Sequence, residues 1–194
     1  TTLNCNRTMG HISPHKPVML LALMDLFEGR ETTENRFSYE QLLEPFGRYF
    51  QIVQQDGDNC TPILPFFYMK SEDFWHHEPV GGQEAVYKAL SNPQGVGRLL
   101  EIVQYAYIDD ELYDMLQAAE NRNTLRSAII SRYFAKWTAK IWDCIEQAKS
   151  AGLYERFLDD HVRGVAEEEP AVNEAARDTA FSRIVRDAYD FRCS

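Results

Sequence analysis

From His15 the chain reads HKPVMLLALMDLFEG, with an apolar residue at almost every position from Pro17 to Leu26. A surface helix keeps a polar face, so this density predicts a helix buried on all sides. Pro14 and Pro17 mark its start, because proline fits a first turn that needs no N–H, and Gly29 marks its end. NRFSY reads as a short strand. Ser38 then opens SYEQLLEPFGRYFQIV, where Gln41 can reach back to complete a capping box. Pro45 is expected to kink or interrupt that helix unless the helix begins there. The polar stretch QQDGDN is a turn.

In TPILPFFYMKSEDFWHH two apolar runs flank KSED, the pattern of a β-hairpin whose first strand is confined to an edge by Pro62 and Pro65. Alternation places Leu64, Phe66 and Tyr68 on one face and Pro65, Phe67 and Met69 on the other. One set enters the core; the other forms either an exposed apolar surface or a second layer of packing. Helix, strand, helix, hairpin is the order of a winged helix. After VGG and SNPQG the spacing turns helical through VGRLLEIVQYA, then DDELYDMLQAA with Asp109 as cap, then NTLRSAIISRYFAKWTAKIWDCIEQAKSAG. VAEEEPAVNEAARD, poor in aromatics and large aliphatics, reads as a linker or a solvated helix. The predicted class is α+β and mostly helical, with a winged-helix-like N-terminal half, a short β-hairpin and a helical C-terminal half.

With 194 residues, 44% of them hydrophobic, the chain can fill one substantial core without staples. Cys5, Cys60, Cys144 and Cys193 are scattered, with no CxxC pair, which favours reduced thiols. No basic-then-apolar leader opens the chain, and no run approaches the ~20 apolar residues that span a bilayer. These features predict a cytoplasmic protein with no membrane partner. A net charge of −10 argues against nucleic acid, yet the acid is unevenly placed. Thr1 to Met24 holds no Asp or Glu, while Arg7, His11, His15 and Lys16 all fall there. That stretch is either a basic spot suited to DNA or a free amino-terminal arm.

His76 and His77 beside Glu78 suggest a metal or acid–base cluster, but neighbours on a strand face opposite ways and do not share a site. Asp109, Asp110 and Glu111 suit a hard cation, and equally suit a helix start, where acids are stabilising. No GxSxG, Walker, HExxH or GxGxxG motif occurs. In HISPHKP, His15 and Lys16 lie where a helix N-terminus welcomes an anion; the alternative is that His15 packs and Lys16 is solvated.

The ordered set PHKPVMLLALMDL, LPFFYMKSEDFW, YAYIDDELYDML and TLRSAIISRYF resembles the amino-terminal domain of bacterial HNH restriction endonucleases. Within them it is similar to the DNA sulfur-binding domain of McrA-like, modification-dependent (type IV) enzymes, over roughly residues 7 to 140. The resemblance implies that the ligand is double-stranded phosphorothioate DNA, in which one non-bridging phosphate oxygen is sulfur. Its sulfur pocket would fall on Leu64, Pro65, Phe67 and Tyr68, with the Pro65 ring facing the sulfur. Leu64 stands where the family often has tyrosine, and Tyr68 where some relatives have a small residue. His15 and Lys16 would contact the modified phosphate or its neighbours, and Arg98 would help close the pocket. Asn4, Asn6, Arg7, His11 and Ser13 are expected at the DNA, Arg7 being able to grip guanine in the major groove.

In that family a nuclease domain follows, and FSRIVRDAYDFRCS resembles its opening helix; a terminal amphipathic helix is the other reading. The implied organisation is a recognition domain over 1–160, a linker over 161–178 and the start of an HNH domain over 179–194. These residues would then bind without cutting and need no cofactor, while the HNH domain would use a divalent metal. A modified-cytosine reader, a protein-interaction domain and a concealed metal-dependent nuclease are the alternatives.

Overall fold

The computed structural model describes residues 3–8, 11–28, 34–164 and 168–188. Gly29, Cys193 and the last residues of the expected nuclease opening lie outside them. Two short strands, β1 (Arg7–Thr8) and β2 (His11–Ile12), precede helix α1 (His15–Leu26). Every residue of α1 from Pro17 to Leu26 is buried, as its apolar density predicts. Helix α2 (Tyr39–Val53) packs along it, burying Leu42, Phe46, Tyr49, Phe50 and Val53. The capping box at its start is present: Gln41 N–H donates to Ser38 Oγ at 3.2 Å and Ser38 N–H to Gln41 Oε1 at 2.8 Å. Pro45 neither starts nor interrupts α2. The apolar face that α2 buries on α1 outweighs the roughly 3 kcal/mol that an interior proline costs.

The largest departure from the sequence pattern is PILPFFYM. It forms helix α3 (Ile63–Tyr68), continued by a 3₁₀ turn at Met69–Ser71, and no hairpin crosses KSED. A six-residue apolar run fits either period. Pro62 at the cap and Pro65 in the first turn cost a helix nothing, since those positions need no donor. Helical spacing regroups the side chains: Leu64 and Tyr68 share the outer face, while Phe66, Phe67 and Met69 enter the core. The expected wing is therefore absent. Strand β3 (Trp75–Pro79) instead pairs antiparallel with β4 (Val103–Ile108), bracketing the short helices α4 (Glu84–Ala89) and α5 (Val96–Leu100). VGRLLEIVQYA is thus half helix and half strand, because Val103, Tyr105 and Tyr107 alternate with Gln104 and Ala106 in a pattern that suits a pleated surface.

Helices α6 (Asp110–Gln117), α7 (Ala119–Tyr133) and α8 (Thr138–Val162) complete the main core. The long helix expected from NTLRSAIISRYFAKW breaks where buried Phe134 leaves helical geometry (φ −134°, ψ 26°). Asp109 occupies the α6 cap position, but its carboxylate takes His76 Nε2 at 2.6 Å instead of a helix N–H. His77 is buried on the opposite face. Helix α9 (Glu174–Ala188) lies on α8 through Ala151, Ala176 and Ala180. It begins inside the expected linker and runs across position 179. No helix among the described residues is long and apolar enough to cross a membrane.

The carboxyl end of α1 carries a buried charge network. Asp25 accepts from Arg48 (2.9 Å), Arg126 (2.9 Å) and the Tyr49 hydroxyl (2.8 Å). Glu28 accepts from Arg122 (3.0 Å) and Arg126 (2.7 Å). Burial pushes Glu28 up, and the hydrogen bonds from Arg122 and Arg126 overcome this to hold it below the usual carboxylate range. In the same surroundings Arg183 of α9 reaches Glu155 of α8 and Glu44 of α2. Arg126, fully buried, serves both acids. Arg126→Leu would remove the guanidinium shared by two buried carboxylates, leaving Asp25 to Arg48 and Tyr49 and Glu28 to Arg122, and we expect urea unfolding to register a loss of about 3–5 kcal/mol; a loss under about 1 kcal/mol would contradict this role.

Candidate functional site

Residues at the start of the chain fold back on the body. Leu3 N–H donates to the Tyr133 hydroxyl at 3.2 Å, Asn4 N–H to Glu72 Oε1 at 3.2 Å, and Ser13 N–H to the Asn6 carbonyl at 2.8 Å. β1 pairs with β2 through Arg7↔Ile12 and Thr8↔His11. The free-arm reading does not hold for these residues.

His15 and Lys16, at the first turn of α1, are both engaged. The Asn59 carbonyl can only accept, so His15 Nε2 carries the proton and donates to it at 2.8 Å, and Nδ1 accepts from the Ser13 hydroxyl at 2.8 Å. The ring also meets Phe50 edge-on at 4.9 Å. Lys16 Nζ donates to Ser71 Oγ at 2.8 Å and pairs closely with Glu72. It is neither solvated nor an isolated charge.

The outer face of α3 stands opposite. Leu64 is 39% and Tyr68 40% exposed, with buried Pro65 between them. With Asn4, Cys5, Asn6, Ser13, His15, Lys16 and Ser71 they line one open recess of about 580 Å³. Eight of the residues singled out from sequence thus meet in one place: Asn4, Asn6, Ser13, His15, Lys16, Leu64, Pro65 and Tyr68. Four do not line it. Phe67 is fully buried beneath the Lys70 ammonium, 3.9 Å from its ring, so the sequence assignment of Phe67 to the pocket wall is corrected. His11 is tied to Asp58 at 3.0 Å, Arg98 to Glu101 at 2.8 Å, and Arg7 is exposed on β1.

The sequence pattern missed Cys5, Ser71 and Glu72. Read as a helix, PILPFFYM would have signalled Ser71, which follows Tyr68 by three residues in the 3₁₀ turn that continues α3. Burial raises the Cys5 thiol to about 11, so it is a neutral, polarisable wall. A smaller recess of about 300 Å³, between α1, α6 and α7, is lined mainly by leucines and carries little polar chemistry. Among the described residues, no group of three or more His, Cys, Asp or Glu is arranged to hold a metal ion.

His77 braces α3 from below. Its Nε2 lies 2.9 Å from the Phe66 carbonyl and 3.2 Å from Trp75 Nε1, and its Nδ1 lies 3.0 Å from the Tyr87 hydroxyl. Burial depresses its pKa to about 4, against a usual 6.5. The unfolded chain therefore binds the extra proton as pH falls from 6.5 to 4, and stability should drop across that window by on the order of 3 kcal/mol. Thermal unfolding of wild type and His77→Gln should show a clearly shallower slope in the variant between pH 6.5 and 4.5; parallel slopes would contradict the assignment.

No family model matches the chain, and a search of curated proteins gives no match. Among solved structures, the chain is similar to the sulfur-binding domain of SprMcrA complexed with phosphorothioated DNA. The TM-score is 0.53 and the identity 17%, over 74% of this chain and 87% of that one. The two share a fold.

Proposed function

We propose that this domain recognises phosphorothioate-modified double-stranded DNA, with the sulfur seated in the recess between α3 and the start of α1. The observation that carries this reading is a recess with apolar walls from Leu64, Pro65 and Tyr68 and a polar rim from Lys16, Asn4, Asn6 and Ser13, on a fold shared with a domain seen with such DNA. Sulfur is larger, softer and less well hydrated than oxygen, so apolar walls gain by covering it. The same walls would leave an ordinary phosphate oxygen desolvated and unpaired. Discrimination then comes partly from penalising unmodified DNA, and the net charge of −10 further limits non-specific binding.

The finer reading is a targeting module, cytoplasmic in its setting, that delivers a following HNH nuclease to modified sites in a preferred sequence context. Metal-dependent cleavage would belong to that nuclease. Asn4, Asn6 and Ser13, which line the recess, would reach neighbouring groups of the DNA. Arg7 and His11 on the β1–β2 ladder, and Arg98 on α5, would contact DNA outside the recess.

Competition binding on short duplexes that differ by one sulfur-for-oxygen exchange tests the proposal. One diastereomer of the phosphorothioate should bind far more tightly than the matched phosphate. Pro65→Ala should erase most of that preference while leaving affinity for the unmodified duplex nearly unchanged. Equal loss on both duplexes would sink the pocket assignment, and competition by methylated-cytosine duplexes instead would transfer the reading to a modified base.

A further inference from the structure

Lys16 is the one formally charged side chain among the described residues lining the recess. Its charge is not free. The Glu72 carboxylate lies against it from behind, with side-chain exposure of 6% for Glu72 and 11% for Lys16. Glu72 is itself fixed in place. Its N–H donates to the Met69 carbonyl at 2.8 Å, its carbonyl accepts from Trp75 N–H at 3.2 Å, and its carboxylate accepts from Asn4 N–H. The recess therefore presents an ammonium that is held in position, directed by Ser71, and electrically compensated.

We propose that Glu72 determines selectivity for sulfur over oxygen by neutralising Lys16. The inference rests on the recess being the phosphorothioate site. Both diesters carry one negative charge, so a cation alone cannot tell them apart by charge. It tells them apart by approach: Coulomb attraction grows as distance shrinks, and a small, hard oxygen comes closer to an ammonium than sulfur does. An uncompensated Lys16 would reward ordinary phosphate and undo the discrimination that the apolar walls supply. With Glu72 behind it, Lys16 can still donate a hydrogen bond to a phosphate, while the recess as a whole adds no net charge. Glu72 is a positioning residue that acts through Lys16 and need not touch the DNA.

The test is Glu72→Gln, which keeps the shape and an acceptor for Asn4, assayed on matched sulfur and oxygen duplexes across a range of salt. Affinity for the ordinary duplex should rise by more than affinity for the sulfur duplex, so that the sulfur-to-oxygen ratio falls several-fold. The slope of log K against log salt on ordinary DNA should steepen by about 0.9, the signature of one added phosphate contact. An unchanged or increased ratio, or an unchanged slope, would overturn the proposal.

The double variant Lys16→Met, Glu72→Gln removes both charges together and leaves no buried ion unpaired. It should keep a ratio near that of wild type, and a collapsed ratio there would show that neutralisation is not what Glu72 provides, even if the single variant fails to fold. A wild-type protein indifferent to sulfur would instead bring down the ligand assignment. The salt slope on ordinary DNA would then still decide whether Glu72 masks Lys16.

Discussion

The structure depends on hiding α1. A helix that is apolar from Pro17 to Leu26 and buried throughout cannot rest on one partner, so α2, α3, α7 and α8 must all close over it. Its two ends are then the places where polarity re-enters. At the carboxyl end the chain returns to charge at Asp25 and Glu28, which are already inside and must be matched by Arg48, Arg122 and Arg126. At the amino end His15 and Lys16 emerge at a recess, and each is met by a fixed partner: Asn59 and Ser13 for the histidine, Glu72 and Ser71 for the lysine. The same rigid rod thus anchors the core and presents the site.

That arrangement gives the recess its character. His15, Lys16 and Ser71 around it are held by hydrogen bonds, and the apolar wall of α3 is braced from below by His77. A ligand does not have to order these groups on arrival, which lowers the cost of binding. It must fit a surface that is apolar on one side and hydrogen-bonding but charge-compensated on the other. Such a surface suits a group with one poorly hydrated edge and one anionic edge better than it suits an ordinary phosphate.

Much of this was legible in the sequence. The density of HKPVMLLALMDL specified a buried helix, Ser38 and Gln41 specified a capping box, and the acid-free opening stretch pointed to the residues that gather at the recess. What could not be read is instructive in its causes. PILPFFYM is too short for its period to separate strand from helix, and its two prolines are as comfortable in a first helical turn as on a sheet edge. Misreading it placed Phe67 in the wall and hid the position of Ser71. The pairing of β3 with β4 spans two intervening helices, and no local pattern encodes a partner that distant. VAEEEPAVNEAARD looked too poor in large side chains to pack. Its Ala176, with Ala180 just beyond it, is small enough to lie directly on α8, where Arg183 completes the contact.

The proposed site seats sulfur against α3. The most direct measurement is a crystal structure of the domain on a duplex in which selenium replaces one non-bridging phosphate oxygen, with the selenium located by anomalous scattering. Selenium is expected in van der Waals contact with Leu64, Pro65 and Tyr68, inside the recess that Lys16 also lines. A peak ordered against any other surface, with the recess filled by solvent, would contradict it.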